Sequence, residues 1–302
     1  MPYDAVLIAG PTASGKSAAA LALAEAFGGV VINADSMQVY REVSVLSARP
    51  SDADMARAPH LLYGHVSAHE HYSVGRYQTD AVAALAQAKG RLPIFTGGTG
   101  LYFEALTEGL ADIPPIPADV RARARARLEE IGVGGLHADL KARDPATGAQ
   151  LHASDPQRVL RAWEVLEATG RPLASWQSEA AKPVLAGLKL VRFVLDVPRP
   201  VLRERIATRF HVMLIAGARR EAAALAGLGS SLPAAKILGL RQLWALQEGR
   251  LGEAEAIQGA ITATRQFAKR QITWFRHRMT SWTWLEVDDY GKFMSSMRQM
   301  LS

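Results

Sequence analysis

Cysteine is absent from the 302 residues, so disulfides and thiolate zinc sites are excluded, and a reducing, cytoplasmic setting is compatible. No apolar run approaches the roughly 20 residues needed to span a bilayer, so no membrane association is expected. No basic segment precedes the first apolar run, which leads straight into a glycine-rich loop. It therefore reads as a core strand rather than a signal peptide. Internal repeats and low-complexity tracts are also missing. Acidic residues are in deficit, 29 against 35 Lys and Arg, and the resulting net charge of +6 favours a polyanionic partner. The apolar share of 49% and charged share of 21% belong to an ordinary globular protein. This length accommodates one large core plus an insertion.

What is present begins with Ala5 to Phe27. Ala5 to Ala9 is an apolar run typical of a buried strand, and Ala18 to Phe27 is rich in helix formers. Between them, Gly10-Pro11-Thr12-Ala13-Ser14-Gly15-Lys16-Ser17 fits G-x-x-x-x-G-K-[ST], the P-loop pattern, at every fixed position. The glycines let successive amides point at an anion, and the following helix adds its positive end. Lys16 supplies a cation for the outer phosphate, and Ser17 is placed to ligate Mg²⁺. A phosphate or diphosphate is expected here.

A second strand, Val30 to Asn33, leads to Asp35-Ser36-Met37-Gln38. In open α/β sheets, ligands bind at that carboxyl edge. Asp35 is read as a general base or metal-associated carboxylate, or as a cap for the next helix. His60, His65, His69 and His71 share no recognisable ligand spacing with acidic partners, and no metal is assigned to them. After a helix from Val74 and a strand at Leu92 to Phe95, Thr96-Gly97-Gly98-Thr99-Gly100 forms a second glycine-rich turn. Beside the first loop it makes a second wall of one pocket. This strand ends without the Asp that a nucleotide hydrolase usually carries for Mg²⁺.

Ile113-Pro114-Pro115-Ile116-Pro117 excludes helix and marks a boundary. Helical patterns then dominate, with Arg121, Arg123, Arg125 and Arg127 spreading around one helix, and Arg158 and Arg161 sharing a face of another. Lys189 to Leu195 returns as a strand. The expected architecture is α/β: a P-loop parallel-sheet core domain with an inserted, mostly helical domain. Its divisions are 1–111, an inserted helical domain at 112–186, and 187–302 with basic C-terminal helices. Arg203, Arg205 and Arg209 lie on a helix that could close over phosphates. From Ile261 to Arg278, Arg265, Lys269 and Arg276 form one stripe and Phe267 and Trp274 the opposite one. That pattern is read as a basic face for nucleic acid over an aromatic core face.

GPTASGKS, NADSMQVYR, TGGTGLYF, LHADLKARDP, HASDPQRVLRAWEVLEATGRPL, RFHVML and TRQFAKRQITWFRH follow one another in this order. Over about residues 7–278 the chain thereby resembles the tRNA dimethylallyltransferase family, the bacterial-type isopentenyl transferases. The resemblance implies transfer of a dimethylallyl group from dimethylallyl diphosphate, with Mg²⁺. The acceptor would be the exocyclic amine of the adenosine immediately 3′ of the anticodon in tRNAs reading codons that begin with U. By resemblance, Gly10 to Ser17 hold the diphosphate, Asp35 is the base, and Thr12 and Arg209 join it in the catalytic set. The tRNA anticodon stem-loop would meet Asp35, Ser36, Met37, Gln38, Thr99, Arg121, Gln157, Arg158, Val159, Leu160 and Arg161, with Lys269 and Arg276 added from the basic stripe. Thr99 would lie near both substrates.

The family often has Gly-Tyr where this chain has Gly239-Leu240, which departs from its pattern by replacing a polar ring with an apolar side chain. The zinc finger of eukaryotic relatives is impossible without cysteine. A monomer is expected. Three rivals share parts of the pattern: a P-loop small-molecule or nucleotide kinase, which would bind and consume ATP, an RNA-binding scaffold, and a prenyltransferase acting on free nucleotides.

Overall fold

The computed structural model describes residues 2–179, 182–287 and 290–301. The chain forms two compact units, one comprising 1–107 with 184–302 and the other 108–183.

The larger unit is built on six strands: β1 (Ala5–Ala9), β2 (Val30–Asn33), β3 (His60–Leu61), β4 (Pro93–Gly97), β5 (Leu190–Asp196) and β6 (Thr283–Glu286). They lie in the order β3-β2-β4-β1-β5-β6, and every pairing is parallel. Parallel strands need crossovers, so helices cover both faces and the central strands become mostly apolar. β1 shows this: all five of its residues are buried between β4 and β5. The early crossovers contain α1 (Lys16–Phe27), α2 (Asp52–Arg57), α3 (Val74–Gln87) and α4 (Gly100–Thr107).

Register decides the site. Asn33 of β2 lies beside Thr96 of β4, and Gly97 of β4 lies beside Ala9 of β1. Asp35, the second glycine turn and the phosphate loop thus leave the same edge of three adjacent strands.

In the smaller unit, α5 (Ala118–Arg143) bends at Gly132, where φ is 68°, and is followed by α6 (Pro145–Gln150), α7 (Pro156–Thr169) and α8 (Leu173–Gln177). Asp155 caps α7 by accepting from the Arg158 N–H at 3.1 Å, and Pro156 fits the first turn, where no N–H is needed. Val120, Leu136, Leu140, Val159 and Trp163 form its own core. Trp163 Nε1 donates to Asp139 at 2.7 Å, satisfying the indole.

The larger unit continues with α9 (Arg199–Ile215), α10 (Ala218–Ala224), α11 (Leu240–Gln247), α12 (Glu253–Arg278) and α13 (Tyr290–Leu301). On α12 the expected two-sided pattern is corrected. Its buried residues are Ala256, Ala260, Ile261, Thr264, Ala268, Gln271 and Phe275. Small residues spaced three or four apart let this helix approach its neighbours closely, which displaces the larger rings to its flanks. Phe275 is therefore the core aromatic, while Phe267 and Trp274 are half-buried. Arg265 leaves the basic face, half-buried with Nη2 at 3.4 Å from the Arg203 carbonyl. Lys269 and Arg276 remain exposed. Among the described residues, no helix is long and apolar enough to cross a membrane.

Candidate active site

The phosphate loop is held by its neighbours before it meets any ligand. Gly10 N–H donates to the Gly97 carbonyl at 3.3 Å, and Ser14 N–H to Pro11 at 3.2 Å. Ala13 takes a left-handed φ of 65°, unusual for a side chain with Cβ and typical of strained functional loops. α1 starts at Lys16, and a helix leaves its first N–H groups without helical acceptors. The Ser14 hydroxyl is buried without a partner, directly under the loop.

Lys16 is itself buried, with Nζ donating weakly to the Pro11 carbonyl at 3.4 Å. Burial pulls its ammonium down from 10.5 to about 8; Asp35 opposes the shift and Arg209 adds to it. Arg209 reaches over from α9 and donates to Thr12 Oγ1. Burial also lowers the guanidinium, against the pull of Asp35. Two cations and one carboxylate thus share a desolvated spot, which is one negative charge short of neutrality.

Asp35 has two roles at once. Its Oδ1 accepts from the Met37 N–H at 3.0 Å, a local turn that explains the capping signature in the sequence. Asn33, fully buried, accepts from Asp35 N–H at 2.8 Å and donates to the Asp35 and Leu62 carbonyls. That clamp leaves Asp35 Oδ2 facing the second glycine turn, where a Cβ on Gly98 would lie 3.1 Å from it. The turn must come this close: a Cβ on Gly97 would lie 2.0 Å from the Ala34 carbonyl oxygen.

These groups line two adjoining spaces. A polar cleft of about 350 Å³ is walled by Thr12 to Ala18, Asp35, Gln38, Ser47, Ala48, Arg205 and Arg209. A narrower pocket shares Thr12, Asp35, Ser47 and Arg209 with it, but is otherwise mostly apolar: Met37, Leu46, Ile206, Phe210, Met213, Leu238 and Phe267. Thr12, Asp35 and Arg209 mark the junction. For a metal, the Ser17 hydroxyl in the polar cleft is a hard oxygen donor of the kind Mg²⁺ accepts, together with substrate phosphates and water. The donor set fits that ion.

The other residues singled out from the sequence divide into groups. Ser36 and Thr99 are brought together: Thr99 Oγ1 accepts from the Ser36 N–H at 2.9 Å and donates to Ser36 Oγ at 3.1 Å. Gln38 is buried, and its Nε2 donates to the Ser47 and Ala48 carbonyls, so its amide pins the adjacent turn. Gln157 and Arg158 are exposed on α7 of the smaller unit. Arg161 is half-buried, 3.9 Å from Glu164, and Arg121 is half-buried as well. Val159 fills that unit's core and Leu160 packs against it, so neither presents a free side chain. Arg276 lies 4.0 Å from Asp196. Leu240 is fully buried, an apolar role in place of a polar one.

Sequence reasoning missed several contributors. Gln271 bonds to both glycine loops. Glu221 accepts from three consecutive amides, Ser44, Val45 and Leu46, at 2.5, 2.8 and 2.7 Å, fixing the wall that carries Leu46 and Ser47. Neither has a local signal, since the partners lie more than 170 residues away. The apolar pocket had a partial one in Phe210 and Met213, next to Arg209.

The family model described as IPP transferase matches residues 38–278, and one described as isopentenyl transferase matches 3–63. The tRNA dimethylallyltransferase of Rhizobium meliloti (strain 1021) is 47% identical over 290 residues, 95% of each chain. That of Azorhizobium caulinodans is 52% identical over 284 residues, covering 92% of this chain and 90% of the relative. Among solved structures, the tRNA isopentenylpyrophosphate transferase of Bacillus halodurans superposes with a TM-score of 0.70 at 31% identity, covering 99% and 95% of the two chains. A eukaryotic dimethylallyltransferase acting on tRNA gives 0.82 at 25% identity, covering 98% of this chain and 77% of its own.

Proposed function

The chain belongs to the IPP transferase family, and we propose that it moves a dimethylallyl group from dimethylallyl diphosphate to an adenosine of tRNA. The acceptor is the N6 amine of the adenosine immediately 3′ of the anticodon, in tRNAs reading codons that begin with U. The observation that carries this reading is the junction of a cationic phosphate cleft and an apolar pocket, with Asp35 at the join. A diphosphate bearing a short apolar chain matches that pair of spaces. The comparisons give the kinase reading no support.

In the reaction, the diphosphate lies over the start of α1, with Lys16 and Arg209 meeting its charge. The dimethylallyl carbon then sits where the two spaces meet. The adenine amine attacks it, the carbon–nitrogen bond forms, the carbon–oxygen bond breaks, and diphosphate leaves with the electron pair. Asp35 Oδ2 takes the proton lost from nitrogen, which matters because a neutral aromatic amine is a poor nucleophile. Lys16, Arg209 and the amides stabilise the charge that grows on the leaving oxygen. Mg²⁺, held by Ser17 and the diphosphate, would add Lewis-acid neutralisation of that group.

The RNA contacts in this reading are Ser36, Met37 and Thr99 near the chemistry, Lys269 and Arg276 on α12, and Arg121, Gln157, Arg158 and Arg161 in the smaller unit. The target base leaves its stack to reach the site. The enzyme works as a monomer in the cytoplasm. The test mixes protein, Mg²⁺, labelled dimethylallyl diphosphate and an unmodified anticodon stem-loop with three adjacent adenosines. Label should enter the RNA and vanish when the adenosine beside the anticodon is replaced. Label in free nucleotide only, or ATP turnover with a small acceptor, refutes the reading.

A further inference from the structure

Gln271 is, with Thr264, one of two polar residues among the buried positions of α12, and only 6% of it is exposed. A buried amide is costly unless its groups are paired, and a helix stripe that only had to pack would do as well with Leu or Met. Its Oε1 accepts from the Thr12 N–H at 2.9 Å, and its Nε2 donates to the Gly98 carbonyl at 2.8 Å. The orientation of the amide is fixed by those partners, since a backbone N–H can only donate and a carbonyl can only accept. The two loops it joins follow β1 and β4. Gly98 must lack a side chain for the contact to exist: a Cβ there would lie 2.2 Å from Gln271 Nε2.

We infer that Gln271 is a positioning residue that locks the phosphate loop to the second glycine turn and removes the Thr12 amide from the anion cradle. The diphosphate is then received by the N–H groups at the start of α1, from Gly15 to Ala18, together with Lys16 and Arg209. Thr12 contributes its hydroxyl, already bonded to Arg209, rather than its backbone. The lock also ties Asp35 to the cleft, because Asp35 Oδ2 faces the same Gly98. This rests on the diphosphate reading of the cleft.

The test measures amide hydrogen exchange and binding of inorganic pyrophosphate with Mg²⁺, for wild type and Gln271→Met. In wild type, Thr12 N–H should be protected without pyrophosphate and unchanged by it, while the Gly15 to Ala18 amides gain protection when it binds. Gln271→Met should speed Thr12 exchange at least tenfold and weaken pyrophosphate about tenfold. The KM for dimethylallyl diphosphate should rise with it, while the KM for the stem-loop stays within twofold. Thr12 protection that appears only with pyrophosphate overturns the inference, and so does unchanged pyrophosphate affinity in the variant. The wild-type exchange needs no variant to fold, and Gln271→Asn provides a second, smaller polar replacement that should be intermediate. Failure of wild type to bind pyrophosphate at all refutes the diphosphate reading instead, whatever Thr12 does.

Discussion

Raising the pH from 7 to 9 should weaken pyrophosphate binding through one residue, Lys16. In the free protein its ammonium is lowered from 10.5 to about 8, mainly by burial. Its charged fraction therefore falls from about nine tenths at pH 7 to about one tenth at pH 9. A bound diphosphate favours the ammonium, so above pH 8 binding must take up a proton and affinity falls, by about tenfold at pH 9. The ligand's own ionisation is cancelled by comparison with Lys16→Met at each pH. Losing a charged hydrogen bond costs about 1.5–3 kcal/mol, so the variant should bind roughly 10- to 150-fold more weakly at pH 7. That ratio should shrink about tenfold by pH 9. Calorimetry in buffers of different ionisation enthalpy reads the proton uptake directly. Stability moves the opposite way: a lysine lowered on folding costs about 3 kcal/mol below pH 8, and the cost fades as pH rises from 8 to 10.5. Lys16→Met should thus be more stable than wild type at pH 7 and lose most of that advantage by about pH 10.5. An affinity ratio that stays constant from pH 7 to 9, with no proton uptake, would refute the reasoning.

Three further outcomes can be checked. Asp35→Asn keeps the oxygen that accepts from Met37, so stem-loop affinity should hold within twofold while kcat falls about 10²- to 10⁴-fold; an unchanged kcat would remove Asp35 from proton transfer. Replacing both Lys269 and Arg276 by Gln should weaken stem-loop binding and lower the slope of log K against log salt by about 1.4–1.8. An unchanged slope, measured by filter binding, would demote α12 to structure, and a half-size change would mean that Arg276 stays with Asp196, 4.0 Å away. Glu221→Ala frees three amides of residues 44–46; stability should drop by about 1–3 kcal/mol in urea, and the KM for dimethylallyl diphosphate should rise as the Leu46 wall loosens. A normal KM with lowered stability would confine Glu221 to structure.

The sequence by itself determined the features that depend on local chain geometry. The spacing from Gly10 to Ser17 dictates an anion-binding turn between β1 and α1, because glycine torsions and helix N–H groups act over a few residues. Apolar runs at Ala5 to Ala9 and Val30 to Ile32 point to buried strands, since a short run that is apolar on both faces has to be covered on both. Asp35 was legible as a residue of interest for the same local reason, although its double use as turn former and open carboxylate was not.

What the tertiary structure alone decided lies in contacts between distant segments. The order β2-β4-β1 places Asp35 beside Gly98, and no motif spacing encodes strand order. A helical wheel assigned Phe267 and Trp274 to the core of α12, but the wheel ignores how closely neighbours approach. The small residues, with Gln271 and Phe275, took the buried side, and Phe267 was turned to the apolar pocket. Gln271 and Glu221 bond to backbone groups, which carry no side-chain identity for a sequence pattern to register. Their roles follow from hydrogen-bond satisfaction in a closed fold, and only the packed chain determines which amide meets which carboxylate or carboxamide.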